Sequence, residues 1–186
     1  MRVRYMKENP EILAASRFVE VEPAKYQGQW KEHMGKEELC LEIGCGLGRF
    51  IGEMGRLNPH QAWIGLERIG TVLAKAVQRF ARNEETKDLA NVQVVRGDAH
   101  DLLEYFAPGE VDRIYLNFSD PWPKERHAKR RLTSTKFLPI YKTILKQGGI
   151  LQMKTDNDNL YAFSLETLKN EGWTIIRQSA DLHNSP

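Results

Sequence analysis

The 186-residue sequence lacks the features that mark several common classes of protein. It has only two cysteines, Cys40 and Cys45, without CxxC spacing or a second Cys/His pair, so it predicts neither a disulfide framework nor a metal site. It contains no run of about 18 apolar residues, and no apolar segment follows its basic start, MRVRYMKENP. We therefore expect no membrane span, no secretory signal, and a cytoplasmic protein with reduced thiols.

Net charge is also nearly absent, because 27 Lys and Arg stand against 25 Asp and Glu, which gives +2. The charges are unevenly placed, however, since five Lys or Arg fall between Lys124 and Arg131. Such a cluster in a balanced chain is typical of a local binding surface for a polyanion, although solvated surface clusters have the same composition. The length suits one domain with a single core.

Short apolar runs alternate with amphipathic stretches from Leu39 onward. This alternation predicts an α/β fold, with a doubly wound, mostly parallel sheet and helices on both faces. Strands are expected at 39–44, 62–67, 92–98, 112–118, 150–155 and 173–179, and helices at about 48–57, 69–83, 99–106, 133–146 and 157–171. Residues 1–38 are interpreted as a polar arm with a helix over about 8–16, packed on the sheet edge or the ligand side, and residues 39–186 as the core of the same domain.

Three acids coincide with the ends of three successive predicted strands. Glu42 precedes the glycine loop in EIGCGLGRF (42–50), Glu67 ends the second strand, and Asp98 ends the third. Ligands of such sheets bind outside the carboxyl ends of the strands. A carboxylate beside the loop disfavours pyrophosphate and suits an ammonium group, while the other two acids could accept ribose hydroxyls and the adenine amine. The pattern predicts S-adenosylmethionine; a nicotinamide cofactor and a plain tight turn are the alternatives.

The segment NFSDPWPKERHAKRR (117–131) follows the fourth predicted strand and places an acid beside the basic cluster. Asp120 is therefore expected at the edge of the cofactor pocket. Pro121 and Pro123 fix φ on either side of Trp122, so the loop should be stiff. The Lys and Arg residues that follow could neutralise phosphates of a nucleic acid.

This segment, with LEIGCGLGRF upstream and KTDN downstream, resembles the bacterial tRNA (guanine-N7)-methyltransferase family. The resemblance runs along most of the chain, from the Arg2–Arg4 arm to the sixth predicted strand. It implies a Rossmann-like class I fold and transfer of a methyl group from S-adenosylmethionine to N7 of guanine 46 in the tRNA variable loop. It implies that Asp120 is the catalytic acid and also contacts the cofactor. The cofactor-binding residues are then Glu42, Gly44, Gly46, Glu67, Asp98 and Asp120, and the substrate-binding residues are Lys124, Arg126, His127, Lys129, Arg130, Arg131 and Asp156.

One part of the family pattern is not found in the sequence as given. The family has a TxYE-type motif after the sixth strand that closes over the target base, whereas these residues end at Pro186. We therefore expect part of the substrate site, and the last strand of the sheet, to be missing from these residues.

The chemistry that the resemblance implies needs no general base, because guanine N7 carries no proton at neutral pH. The site must supply orientation and tolerate the positive charge that develops on the ring. Asp120 could do this directly or by accepting a guanine donor, and Asp156 could accept the other. An amino-directed methyltransferase, a small-molecule methyltransferase and a non-catalytic RNA-binding module are the alternatives. The oligomeric state is left open between monomer and homodimer.

Overall fold

A six-stranded sheet organises residues 9–180, the part of the chain that the computed structural model describes. Its strands are β1 (Val19–Glu20), β2 (Glu38–Ile43), β3 (Gln61–Glu67), β4 (Val92–Arg96), β5 (Val111–Asn117) and β6 (Leu145–Lys154). They lie in the order β1-β4-β3-β2-β5-β6, and each neighbouring pair is parallel. The direction of chain winding reverses between β2 and β5, which makes the carboxyl ends of these two strands the switch point of the sheet.

Seven helices pack against the sheet within the described residues. They are α1 (Asn9–Ala15), α2 (Trp30–Met34), α3 (Arg49–Leu57), α4 (Gly70–Arg82), α5 (Leu102–Tyr105), α6 (Leu138–Ile144) and α7 (Asp158–Asn170). One apolar cluster joins the sheet to α1, α3 and α4, and a second joins it to α2, α5 and α6. The predicted doubly wound α/β fold is confirmed. No helix in this part of the chain is both long and apolar enough to cross a bilayer.

The packing of α4 on α3 sets the position of the glycine loop. Phe80 of α4 is fully buried, and its ring occupies the space that side chains at Gly48 and Gly52 would need. A Cβ atom would lie 2.5 Å from the ring at Gly48 and 2.8 Å from it at Gly52. These glycines are therefore needed for close packing, and Gly48 also has a positive φ of 67°. The start of α3 is held tightly against the body of the fold.

The segment before β2 lies against the sheet edge and the helices of the second cluster. Val19 of β1 pairs with Val94 of β4, which makes β1 an edge strand. Trp30 of α2 is fully buried, and its indole N–H donates to the carbonyl of Tyr105 at 2.8 Å. Neither β1 nor α2 was predicted from the sequence, because two-residue strands and one-turn helices carry no periodicity. The basic arm at Arg2–Arg4 lies outside the described residues.

Two predicted elements near the carboxyl end are wrong. Residues 173–179 form no strand in the described structure, and Ile176 is 76% exposed. The helix predicted over 133–146 begins only at Leu138, since the side chains of Thr133 and Ser134 bond to Ser164 and to the carbonyl of Lys129 instead of continuing a helix. Its last residues belong to β6, which starts five residues earlier than predicted.

A buried ion cluster joins the amino ends of the central strands. Asp112 of β5 is 4% exposed and accepts hydrogen bonds from the backbone N–H of Leu39 at 2.8 Å and from Lys31 at 2.6 Å. Lys146 of β6 also pairs with it. Burial alone would raise the pKa of Asp112, but these hydrogen bonds and charges together hold the pKa below its usual value. The cluster links α2, β2, β5 and β6 at the edge opposite to the switch point.

Candidate cofactor and nucleic-acid site

The switch point holds a buried acid–amide pair with free acceptor atoms. Glu42, at the end of β2, is 3% exposed, and its Oε1 accepts a hydrogen bond from Asn117 Nδ2 of β5 at 2.9 Å. Glu42 Oε2 and Asn117 Oδ1 are both buried and have no hydrogen-bond partner among the described residues. Burial raises the pKa of Glu42 to about 7, against the lowering effect of Asn117 and of the backbone N–H of Ile51. Unpaired buried acceptors are unfavourable, so this pair is suited to bind a donor.

The glycine loop between β2 and α3 is held open by β3. The backbone N–H groups of Gly44 and Cys45 donate to the carbonyl of Leu66 at 2.8 and 3.0 Å. Gly44 and Gly46 have φ values of 78° and 55°, and a Cβ atom at either would meet nothing within 4 Å. The loop therefore presents bare backbone to open space, as close approach to a ligand requires.

Glu67 fixes this loop from the end of β3. Its Oε2 accepts from the Gly46 N–H at 3.1 Å, and its Oε1 accepts from the Ile69 N–H at 2.8 Å. Burial, and then the charges of Glu42 and Glu67, raise the pKa of the Cys45 thiol well above its usual value. A buried thiol whose pKa is raised is a poor nucleophile, so Cys45 is interpreted as a packing residue.

Asp98 continues the row of acids beyond β4. Its Oδ1 accepts from the His100 N–H at 3.1 Å and lies 2.5 Å from the His100 ring, while its Oδ2 lies 3.8 Å from Arg68. Burial would raise the pKa of Asp98, but the hydrogen bonds of His100 and the charges of His100 and Arg68 together lower it. The carboxylate is thus ionised and held at the carboxyl edge of the sheet.

The loop after β5 carries Asp120 into solvent at this same edge. Phe118 and Trp122 both adopt positive φ, at 51° and 43°, which is costly for bulky residues and requires support from the surroundings. Asp120 is exposed and makes no hydrogen bond or ion pair with the described residues. Asp156 is also exposed, in the turn between β6 and α7.

Arg131 supplies the support for this strained loop. It is 6% exposed, and its guanidinium donates to the carbonyls of Pro121 at 3.0 Å and Trp122 at 3.2 Å. The same group lies 4.4 Å from the centre of the Phe163 ring on α7. Arg131 was predicted to bind RNA, but its head group is buried and already bonded. In this structure Arg131 therefore supports the loop, and its contact with RNA stays a prediction.

Most of the other basic residues lie in a two-turn 3₁₀ helix, Glu125–Arg130, which Lys124 precedes on the surface next to Asp120. Lys124, Arg126 and Lys129 are exposed and form no salt bridge within the described residues. Arg130 lies 4.9 Å from the centre of the Trp122 ring, and His127 meets the same ring edge-on at 5.7 Å. We call residues 124–130 the basic segment. Its charges are free to contact a polyanion.

The structure thus brings most of the predicted site residues to one edge of the sheet. Glu42, Gly44, Gly46 and Glu67 converge on one loop, and Asp98 follows on the neighbouring strand end. The free acceptors at the switch point and the bare glycine backbone fit the ammonium and nucleoside parts of S-adenosylmethionine. Asn117 was missed, and the only available signal was an amide at a strand end, where this residue type is depleted.

Within residues 9–180, no group of three or more His, Cys, Asp or Glu side chains is placed to hold a metal ion. A switch-point cleft with a glycine loop and a row of strand-end acids is the arrangement of the class I methyltransferase fold, and solved structures share this fold. The aminoglycoside resistance methyltransferase NpmB1 matches with a TM-score of 0.56 at 22% identity, covering 78% of this chain and 68% of that one. The antibiotic-resistance methyltransferase Kmr gives 0.53 at 19%, covering 77% of each chain.

A 16S rRNA (adenine(1408)-N(1))-methyltransferase from Catenulisporales acidiphilia gives a TM-score of 0.53 at 15% identity, covering 68% of this chain and 60% of that one. At such identities these similarities show the fold. The family is shown by the sequence itself, because residues 36–186 match the model of the methyltransferase family Methyltransf_4. The chain belongs to this family, and S-adenosylmethionine is its methyl donor.

Replacing Glu42 by Gln is expected to remove a pH-dependent loss of stability. The pKa of Glu42 rises from 4.5 unfolded to about 7 folded, so its stabilising contribution is complete below the unfolded value and is lost as the pH rises through the folded value. We expect the free energy of unfolding of the wild type minus that of Glu42→Gln to decrease by roughly 3 kcal/mol between about pH 5 and about pH 8. Urea unfolding of the ligand-free proteins measures this difference. Glu166→Gln, at an exposed residue of α7, is the control. A difference between the wild type and Glu42→Gln that does not change with pH would contradict the raised pKa of Glu42.

Replacing Arg131 by Met is expected to loosen the loop that carries Asp120. Met keeps apolar contact with Phe163 but leaves the carbonyls of Pro121 and Trp122 without their donor. We expect unfolding to become easier by roughly 2 kcal/mol and residues around Trp122 to become sensitive to limited proteolysis. Arg130→Met removes an equal charge from the exposed side and should change stability by less than about 1 kcal/mol. Equal effects of the two variants would refute the positioning role.

Proposed function

We propose that this protein transfers a methyl group from S-adenosylmethionine to N7 of guanine in tRNA, at position 46 of the variable loop, and that it acts in the cytoplasm. The single observation that best supports this proposal is the exposed basic segment that directly follows Asp120 at the cofactor edge. Both cysteines are free and buried, which suits a reducing compartment.

In this proposal, the acids at the strand ends bind the cofactor, and the basic segment binds the phosphates of the RNA. Glu42 takes the amino group, Glu67 the ribose hydroxyls, and Asp98 the adenine amine. Lys124, Arg126 and Lys129 contact phosphates, with Arg130 and His127 placed around Trp122. The resulting charge pattern is an acidic pocket beside a basic surface, which orients a nucleic acid with one base at the pocket.

Asp120 is the proposed catalytic residue. Guanine N7 attacks with a lone pair that is already free, so no side chain removes a proton. Positive charge develops on the imidazole ring during the attack, and a carboxylate fixed nearby stabilises it. Asp120 is exposed and unpaired on a strained loop, so it can accept a guanine donor or face the ring. Asp156, in the turn between β6 and α7, accepts the other donor.

The first experiment identifies the modified atom. The chain is incubated with unmodified tRNA and labelled S-adenosylmethionine, and the nucleosides are analysed by mass spectrometry. N7-methylguanosine supports the proposal. A methylated exocyclic amine or adenine N1 would assign the enzyme to another target, and cofactor binding without methylation of any RNA would favour a different substrate class or a binding module.

Replacing Asp120 by Asn is expected to lower the single-turnover rate by at least about tenfold, because the charge that stabilises the transition state is lost. Affinity for S-adenosylhomocysteine should change by less than about threefold, since other acids hold the cofactor. Asp158→Asn, an exposed acid in the first turn of α7, is the matched control. A full rate for Asp120→Asn with cofactor bound would remove Asp120 from the mechanism.

A further inference from the structure

We propose that Asn117 is a further cofactor-binding residue: with Glu42 it forms a two-acceptor site for the α-ammonium group of S-adenosylmethionine, and cofactor binding releases a proton from this site. The inference rests on the cofactor site proposed above and deepens it. The motif NFSDPWPKERHAKRR begins with Asn117 but gives it no role, and the role follows from the contacts at the switch point.

The geometry of the pair leaves two acceptors for one ligand group. Asn117 Nδ2 donates to Glu42 Oε1 at 2.9 Å, which orients the carboxylate across the gap between β2 and β5. The remaining oxygens, Glu42 Oε2 and Asn117 Oδ1, are both buried without a partner among the described residues. These two oxygens belong to side chains that are already joined by a hydrogen bond, so both can accept from one ligand group that has several donors. An ammonium group has three donors and carries the charge that the carboxylate requires.

The surroundings of Glu42 keep its proton when no ligand is present. The groups that hydrogen-bond to it are Asn117 from β5 and the Ile51 N–H from α3, and the nearby titratable groups are the Cys45 thiol and Glu67, whose charge acts together with that of Glu42 on that thiol. No Lys, Arg or His of residues 9–180 forms a salt bridge with Glu42. Burial without a cation raises its pKa to about 7. A bound ammonium supplies the missing cation, so the proton leaves as the ligand arrives.

The proton released on binding can be measured by calorimetry. Heats of S-adenosylhomocysteine binding are compared in buffers of different ionisation enthalpy, between about pH 6 and about pH 7, where the ligand amine is already charged. We expect release of about half a proton at pH 7, rising towards one at pH 6. Glu42→Gln should release almost none. Binding by the wild type without proton release at either pH would overturn this part of the proposal.

The contribution of Asn117 is tested with two ligands. Asn117→Ala is expected to bind S-adenosylhomocysteine at least about tenfold more weakly, and to bind 5′-methylthioadenosine, which lacks the amino-acid part, within about twofold of the wild type. Damage to the fold would weaken both ligands equally. Asn159→Ala, an exposed amide at the start of α7, is the matched control and should change neither affinity.

The outcomes separate this inference from the proposed site. If the wild type binds neither ligand, the cofactor site itself is wrong. If it binds both, but Asn117→Ala weakens both equally or neither, Asn117 does not contact the ammonium group and the inference fails while the site stands. Selective loss of the ligand that carries the amine supports it.

Discussion

Replacing Lys31 and Lys146 by Met in one variant is expected to lower the free energy of unfolding by roughly 3–5 kcal/mol near neutral pH. Both lysines pair with Asp112, which is 4% exposed. The double substitution leaves this carboxylate buried, with the Leu39 N–H as its remaining donor in the described structure. A buried charge without a counter-ion is far more costly than the loss of a surface pair, so the effect should exceed the sum of ordinary surface substitutions.

The pH dependence of this variant is a second readout of the same cluster. In the wild type, the pKa of Asp112 is lowered, so its contribution is present above the unfolded pKa and is lost as the pH falls through the folded value. Without the lysines, burial and the Leu39 N–H remain, and burial, which is the largest effect, raises the pKa of Asp112. The deficit of the variant should therefore shrink as the pH falls from about 7 to about 5. Lys136→Met/Lys169→Met, at two exposed lysines, is the control, and a loss of equal size there would contradict the explanation.

Replacing Lys124, Arg126 and Lys129 by Ala together is expected to weaken tRNA binding by roughly 100-fold in low salt. These three exposed cations follow Asp120 and have no carboxylate partner in the described structure. Each phosphate contact releases counterions, so their removal should also reduce the slope of log affinity against log salt by about 2–3. Filter binding or anisotropy between about 50 and 200 mM salt measures both quantities.

The chain offers a matched control for this experiment. Lys75, Arg79 and Arg82 line an open groove of about 490 Å³ on α4, well away from the Asp120 loop in the sequence. Replacing them by Ala removes the same charge from another element. If the two triple variants lost the same affinity and salt slope, RNA binding would depend on total charge and the basic segment would have no special role.

The fold was predictable because its signals are local. Apolar strands followed by amphipathic helices specify a doubly wound sheet, and the stripe of Leu73, Val77 and Phe80 on α4 is buried as its spacing predicts. The wrong predictions are those that depend on contacts with residues distant in the sequence. Residues 173–179 alternate like a strand, but a strand also needs a neighbour with free backbone groups. Thr133 and Ser134 lie in a sequence compatible with a helix, and their buried hydroxyl bonds decide otherwise.

The site was predictable where the strand-end rule applies, and incomplete where side chains interact across the sheet. Glu42, Glu67 and Asp98 follow from their positions after apolar runs. The pairing of Glu42 with Asn117 joins residues 75 positions apart, which no local pattern contains. Arg131 has the composition of its basic neighbours, so only its burial reveals that it supports the loop.

The contacts of Arg131 have a consequence for engineering target specificity. Because one guanidinium bonds to the backbone just after Asp120 and also lies on Phe163 of α7, the loop that carries Asp120 and the end of the basic segment share a common anchor. A basic segment transplanted from a relative would therefore retain its charges yet misalign the acid, unless Arg131 and Phe163 were carried over as part of the same graft.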